Sequence, residues 1–134
     1  YVCTFGCGMS FEFYGVHQVE MLVLSIGTGA KRVMMNPVAR NRSLTVDYGD
    51  GRLGFVNYLP ELNFHVMLQY GEKSCADTGD LGYGYFRIFV EHMLGFFKTG
   101  VSPVPQEQTL EVMAILETAF QAQKIPGTWV EINR

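Results

Sequence analysis

His17 and Glu20 lie three residues apart in a segment, residues 16–26, otherwise built largely of Val, Met, Leu and Ile. At about 3.6 residues per helical turn, that spacing places both on one face. An imidazole beside a carboxylate is a proton-handling pair: the ring takes or gives a proton near neutrality, and the carboxylate orients it. On an apolar helix such a pair is costly when buried without a partner, so it calls for a ligand, a partner or a reaction. The spacing of Cys3, Cys7 and Cys75 relative to His17 gives poor support for a zinc site, and an odd count of thiols argues for a reducing compartment over a disulfide framework.

The elements that must position the pair follow from periodicity. Residues 16–26 are expected to form a helix with Val16, Val19, Val23 and Ile26 in one stripe and Met21, Leu22 and Leu24 on the other side, so that both faces are largely buried. Gly27 and Gly29 supply the stop. Residues 32–36 read as a short strand, followed by a polar loop through Pro37 and Asn41. Residues 43–48 alternate, with Leu44, Val46 and Tyr48 on one face, and residues 52–58 form a second run across Gly49-Asp50-Gly51, a hairpin signal. Asp50 and Arg52 read as hairpin chemistry only. Phe64, Val66, Leu68 and Tyr70 alternate with an outward His65, Met67 and Gln69.

Residues 72–82 read as a polar loop, after which the period changes. Phe86, Phe89, Val90, Met93, Leu94 and Phe97 form one helical stripe, expected to lie in the core with His92 packed among them. A third helix starts near Pro105 and ends around Lys124, with Glu107, Glu111 and Glu117 on its solvated face. Residues 128–132 close the chain as a strand. Gly82-Tyr83-Gly84-Tyr85 is a flexible entry whose tyrosines suit a sugar-like ligand, although loop packing is the plainer reading. The expected fold class is therefore α+β, a mostly antiparallel open sheet with amphipathic helices packed mainly on one face.

Length and composition set the remaining bounds. The 134 residues suit a single domain, and 48% hydrophobic with 17% charged residues suit a globular one. A formal charge of −3 gives no basic footprint for nucleic acid, and no apolar run is long enough to span a membrane. A start at Tyr1 without a signal-peptide pattern reads as a piece of a longer, cytoplasmic protein.

Several segments together resemble the C-terminal part of the Gfo/Idh/MocA oxidoreductase family. They are Gly15-x-His17-x-x-Glu20, then Phe89-Val90-Glu91-His92 through Phe97-Lys98-Thr99-Gly100, then residues 103–112 (PVPQEQTLEV) and the closing Trp-Val-Glu strand. The resemblance spans nearly the whole chain and rests on the joint order of its degenerate motifs. It implies that residues 1–134 are a truncated substrate-binding and oligomerisation domain, inactive without an N-terminal Rossmann domain that carries NAD or NADP and a catalytic lysine. It also implies a sugar or polyol-like substrate, His17 as the catalytic residue, and Glu20, Tyr14 and Tyr83 as substrate-binding residues. This chain itself would hold no cofactor and no metal. Gly6-Cys7-Gly8 is followed by Met9, Ser10 and Phe11, so the G-x-G-x-x-G fingerprint is incomplete. Phe13 stands at the family's aspartate position, four before His17, and cannot hydrogen-bond a substrate. The rival expectation is a non-catalytic module that self-associates through its sheet face, with Met67 and Tyr58 or His65 outward.

Overall fold

The computed structural model describes residues 1–37, 42–82 and 84–133; part of the loop expected between Pro37 and Asn41 lies outside them. Among these residues the chain runs β1 (Val2–Gly6), α1 (Phe11–Ile26), β2 (Arg32–Asn36), β3 (Arg42–Asp47), β4 (Leu53–Tyr58), β5 (His65–Tyr70), β6 (Ser74–Asp77), α2 (Tyr85–Thr99), α3 (Gln106–Ala122) and β7 (Trp129–Glu131). The strands form one open sheet in the order β6-β5-β1-β4-β3-β2-β7. Only β1 and β4 run parallel; every other neighbouring pair is antiparallel. This is the expected α+β architecture.

Two helices cover one face of the sheet. α1 lies on β1, β4 and β5, α3 lies on β2 and β7, and the two helices pack side by side. Alternation decides which side chains they meet. Val2 and Thr4 of β1, Val33 and Met35 of β2, Leu44 and Val46 of β3, and Val56 of β4 point inward and are buried. Phe11, Val19, Leu22 and Val23 of α1, with Val112, Ile115, Leu116 and Ala119 of α3, close the core from above. The opposite sheet face carries Tyr1, Cys3, Phe5, Met34, Phe55 and Met67. It also carries a polar cross-strand group in which Asn36 donates to Ser43 at 3.0 Å and to Thr45 at 3.1 Å, while Ser43 donates to Asn57 at 3.0 Å.

The local signals explain much of this. Gly49 and Gly51 adopt φ of +72° and +93°, conformations that a glycine enters without a Cβ clash, and they close the β3–β4 hairpin. Gly54 acts through space instead. A Cβ built on it would lie 2.8 Å from both Leu22 methyl carbons, so its bare backbone sets how closely α1 approaches the sheet. Gly54→Ala is therefore expected to destabilise the fold by about 1–3 kcal/mol through overpacking. Urea denaturation reads this directly, and a loss below about 0.5 kcal/mol, typical of a surface change, would contradict the close approach.

Several expectations are corrected. α1 begins at Phe11, five residues before the expected start, and β1 forms ahead of it, where no element is expected. The loop expected at residues 72–82 contains β6. α1 is not buried on both faces, because Phe13 and Leu24 are 72% and 76% exposed. Tyr58 belongs to the inner face and is buried, not outward. Glu111 is also buried, at 2% exposure, since α3 turns the stripe 111, 112, 115, 118, 119 and 122 to the core. The largest reversal is α2: it has no buried residue at all, so its aromatic stripe and His92 are not core. An amphipathic pattern requires that a face be covered, but does not specify by which part of which chain.

Candidate functional site

α1 carries the site, and contacts along its length fix that helix. At mid-helix, the buried Gln18 donates from Nε2 to the Gly6 carbonyl at 3.1 Å, tying the helix to the end of β1. The Glu12 carboxyl in the first turn is held below the usual carboxylate range, chiefly by a backbone N–H and the Ser10 hydroxyl. It also pairs with Arg42 at 3.2 Å. At the other end, Arg52 donates to the Ile26 carbonyl at 2.8 Å, stacks over Tyr48 at 4.5 Å and holds Asp50 at 2.8 Å. Arg52 thus does more than hairpin chemistry: it satisfies one of the carbonyls that a helix leaves open at its C-terminus.

On the outward face, His17 Nδ1 lies 3.2 Å from Glu20 Oε2, and the two side chains are 53% and 57% exposed. An ionised carboxylate can only accept, so the pairing places a proton on Nδ1, and in the neutral ring Nε2 then carries the lone pair. Among the described residues no group hydrogen-bonds Nε2. Two rings flank the imidazole edge-on: Tyr14 at 6.0 Å and Phe64 at 5.8 Å between centroids. The arrangement is an oriented, accessible imidazole between two aromatic rings.

The structure brings three of the four expected site residues, Tyr14, His17 and Glu20, together on α1. Tyr83 lies outside the described residues. Phe13 points away from the core and is largely exposed. Phe64 was missed in the sequence. It reaches His17 because β5 pairs with β1, a contact between distant parts of the chain that no local pattern announces. The segment leading out of the sheet is pinned beside it. Leu81 N–H donates to the Phe64 carbonyl at 2.8 Å. Asp80 accepts from Asn63 at 2.7 Å and from Gly82 N–H at 2.6 Å, and these two bonds hold its carboxyl below the usual range. His65, on the outer face as expected, pairs with Asp77 at 2.6 Å.

The glycine-bearing β1–α1 junction is where a dinucleotide would have to approach a helix N-terminus. Its geometry does not fit one. A Cβ at Gly6 would meet the Phe64 ring at 2.5 Å, and one at Gly8 would collide with the Tyr14 ring. The Gly8 carbonyl is taken by the Tyr58 hydroxyl at 2.7 Å. The space the glycines leave is already filled by the chain's own rings, so no nicotinamide cofactor sits here. No helix among the described residues is long and apolar enough to cross a membrane.

No protein-family model matches the sequence, and no curated protein matches it by sequence. Solved structures share the fold. The WlbA dehydrogenase from Bordetella pertussis, in complex with NADH and UDP-GlcNAcA, aligns with a TM-score of 0.68 at 13% identity, over 99% of this chain and 54% of its own. GenD2 from gentamicin A biosynthesis, in complex with NAD, aligns at 0.66 and 14% identity, over 99% and 54%. An oxidoreductase from Agrobacterium radiobacter, in complex with NAD+, L-tartaric acid and magnesium, aligns at 0.63 and 11%, over 98% and 55%. The chain thus has a fold found in NAD-complexed oxidoreductases and spans about half the length of these proteins.

Proposed function

We propose that this chain is the substrate-binding and self-associating part of a Gfo/Idh/MocA-type oxidoreductase that uses NAD or NADP and acts on a sugar or polyol-like substrate. The observation that carries the reading is the accessible His17–Glu20 pair between Tyr14 and Phe64. A substrate hydroxyl placed at Nε2 would pass its proton to the ring while Glu20 stabilises the imidazolium that forms. The flanking rings suit the apolar faces of a polyhydroxylated ligand. Two of the solved structures sharing the fold hold such ligands, UDP-GlcNAcA and L-tartaric acid. In this reading the cofactor is carried by another part of the full-length protein, a reading supported by the filled β1–α1 junction. The open sheet face, which carries Met34, Phe55, Phe5 and Met67 on four different strands, is the surface for a second copy, whether or not the protein is catalytic.

The test is turnover by the natural full-length protein supplied with NAD+ or NADP+ and a panel of sugars, sugar acids and polyols. Reduction of the nicotinamide, followed by its absorbance, is expected with at least one of them. A protein that binds neither nucleotide would overturn the reading in favour of a non-catalytic self-associating module.

A further inference from the structure

We infer that Gly6 and Gly8 are positioning residues that set the aromatic slot around His17 and so decide which substrates reach its Nε2, an inference that rests on the function proposed above. Gly6-Cys7-Gly8 reads as an incomplete nucleotide fingerprint, yet each glycine lies against one of the two rings that flank the imidazole. A Cβ on Gly6 would lie 2.5 Å from Cδ1 and 2.7 Å from Cε1 of Phe64. One on Gly8 would overlap the Tyr14 ring, and Gly8 also holds a φ of +137°, which residues with a Cβ rarely adopt. The same Phe64 and Tyr14 rings stand 5.8 and 6.0 Å from the His17 imidazole, centroid to centroid. Two bare backbone positions in one short segment therefore place both aromatic neighbours of the proposed base.

The segment is held so that it cannot yield. The Gly6 carbonyl accepts from Leu59 N–H at 2.9 Å and from Gln18 Nε2 at 3.1 Å. The Gly8 carbonyl accepts from the Tyr58 hydroxyl at 2.7 Å, and Tyr58 is also the register partner of Gly6 across the parallel β1–β4 pair. Gln18 follows His17 in α1 and is buried, so the segment that seats the rings also ties down the helix that carries the imidazole. Gly6 has no positive φ, so its backbone would accept alanine; only the neighbouring side chains demand glycine there. A methyl group added at position 6 must displace the Phe64 ring, or the Gln18 amide 3.0 Å away. The His17–Glu20 bond, by contrast, is made within α1 alone and survives a shift of Phe64. Gly6 thus acts on substrate entry and leaves the orientation of the base to Glu20.

The experiment uses the natural full-length protein, isotope-labelled for NMR, with the His17 ring signals identified by their loss in His17→Ala. In the unmodified protein, nuclear Overhauser contacts are expected from the Phe64 ring to both Gly6 and His17, and from the Tyr14 ring to both Gly8 and His17. Gly6→Ala should shift the His17 ring signals and raise KM at least about tenfold, with kcat and its pH profile little changed. Phe64→Ala should reproduce the rise in KM, and adding Gly6→Ala to it should cost little more. Gly95→Ala, in α2 with nothing within 4 Å of the added methyl group, should alter neither reading. Missing contacts, unmoved His17 signals or an unmoved KM in Gly6→Ala overturns the inference. If Gly6→Ala does not fold, the contacts in the unmodified protein and the KM of Phe64→Ala decide it. Absence of turnover with every compound of the panel removes the oxidoreductase reading instead, and the NMR contacts and shifts then judge the seating of the rings on their own.

Discussion

Replacing Glu111 with alanine is expected to destabilise the protein by about 2–4 kcal/mol, because it strands buried backbone donors. Glu111 Oε1 accepts from Ala30 N–H at 2.7 Å and from Gly29 N–H at 3.0 Å, joining α3 to the loop between α1 and β2. Its carboxylate also adds to the field that keeps Arg52 protonated, although the Asp50 hydrogen bond is the larger cause. Arg52 in turn closes the C-terminal end of α1. One carboxylate thus braces the helix that carries His17 from a neighbouring helix. Glu111→Gln keeps an acceptor in place and should lose less than the alanine variant. Chemical denaturation of both variants checks this order. Equal losses would assign the effect to charge and not to the backbone hydrogen bonds, and a loss below about 0.5 kcal/mol for alanine would remove the brace altogether.

His17→Ala carries the second large effect. If Nε2 takes the substrate proton, kcat of the full-length protein should fall by about 10²–10⁴-fold, the range of a general base. The fold should not suffer, because the side chain is more than half exposed and its one partner, Glu20, is equally open to water. The expected signature is a lost rate with an unchanged denaturation midpoint. Glu20→Gln should give a smaller loss, since it removes the orienting charge and leaves the base. A variant that loses stability in parallel with rate would point to a packing role for the ring against Tyr14 and Phe64.

Local signals carried the parts of this fold that are made locally. The β3–β4 hairpin was legible because turn glycines and alternation sit within one stretch of chain, and α3 because its stripe is continuous. β1 was not legible. Its partners are Gly54 to Tyr58 on one side and His65 to Leu68 on the other, so only the assembled sheet gives residues 2–6 a reason to be extended. Glu111 shares a helix with the exposed Glu107 and Glu117, and charge type alone does not separate a solvated carboxylate from one that accepts backbone hydrogen bonds. The site was half legible. The spacing of His17 and Glu20 implied their pairing, but α1 is apolar on most sides, so which face stays open depends on where the sheet lies. Phe64 and the bare stripe of α2 became visible only in three dimensions.

The most direct test of the proposed proton-transfer role is rescue of the His17→Ala variant by free imidazole. The imidazole edge is open to solvent and walled by Tyr14 and Phe64, so removing the ring leaves a slot that a soluble imidazole can enter. Turnover of the full-length variant is measured with rising imidazole, beside wild type under the same conditions. The account predicts a saturable recovery of the variant's rate and no gain for wild type. An unimpaired variant, or an impaired one that imidazole does not restore, would contradict the assignment of His17 as the base.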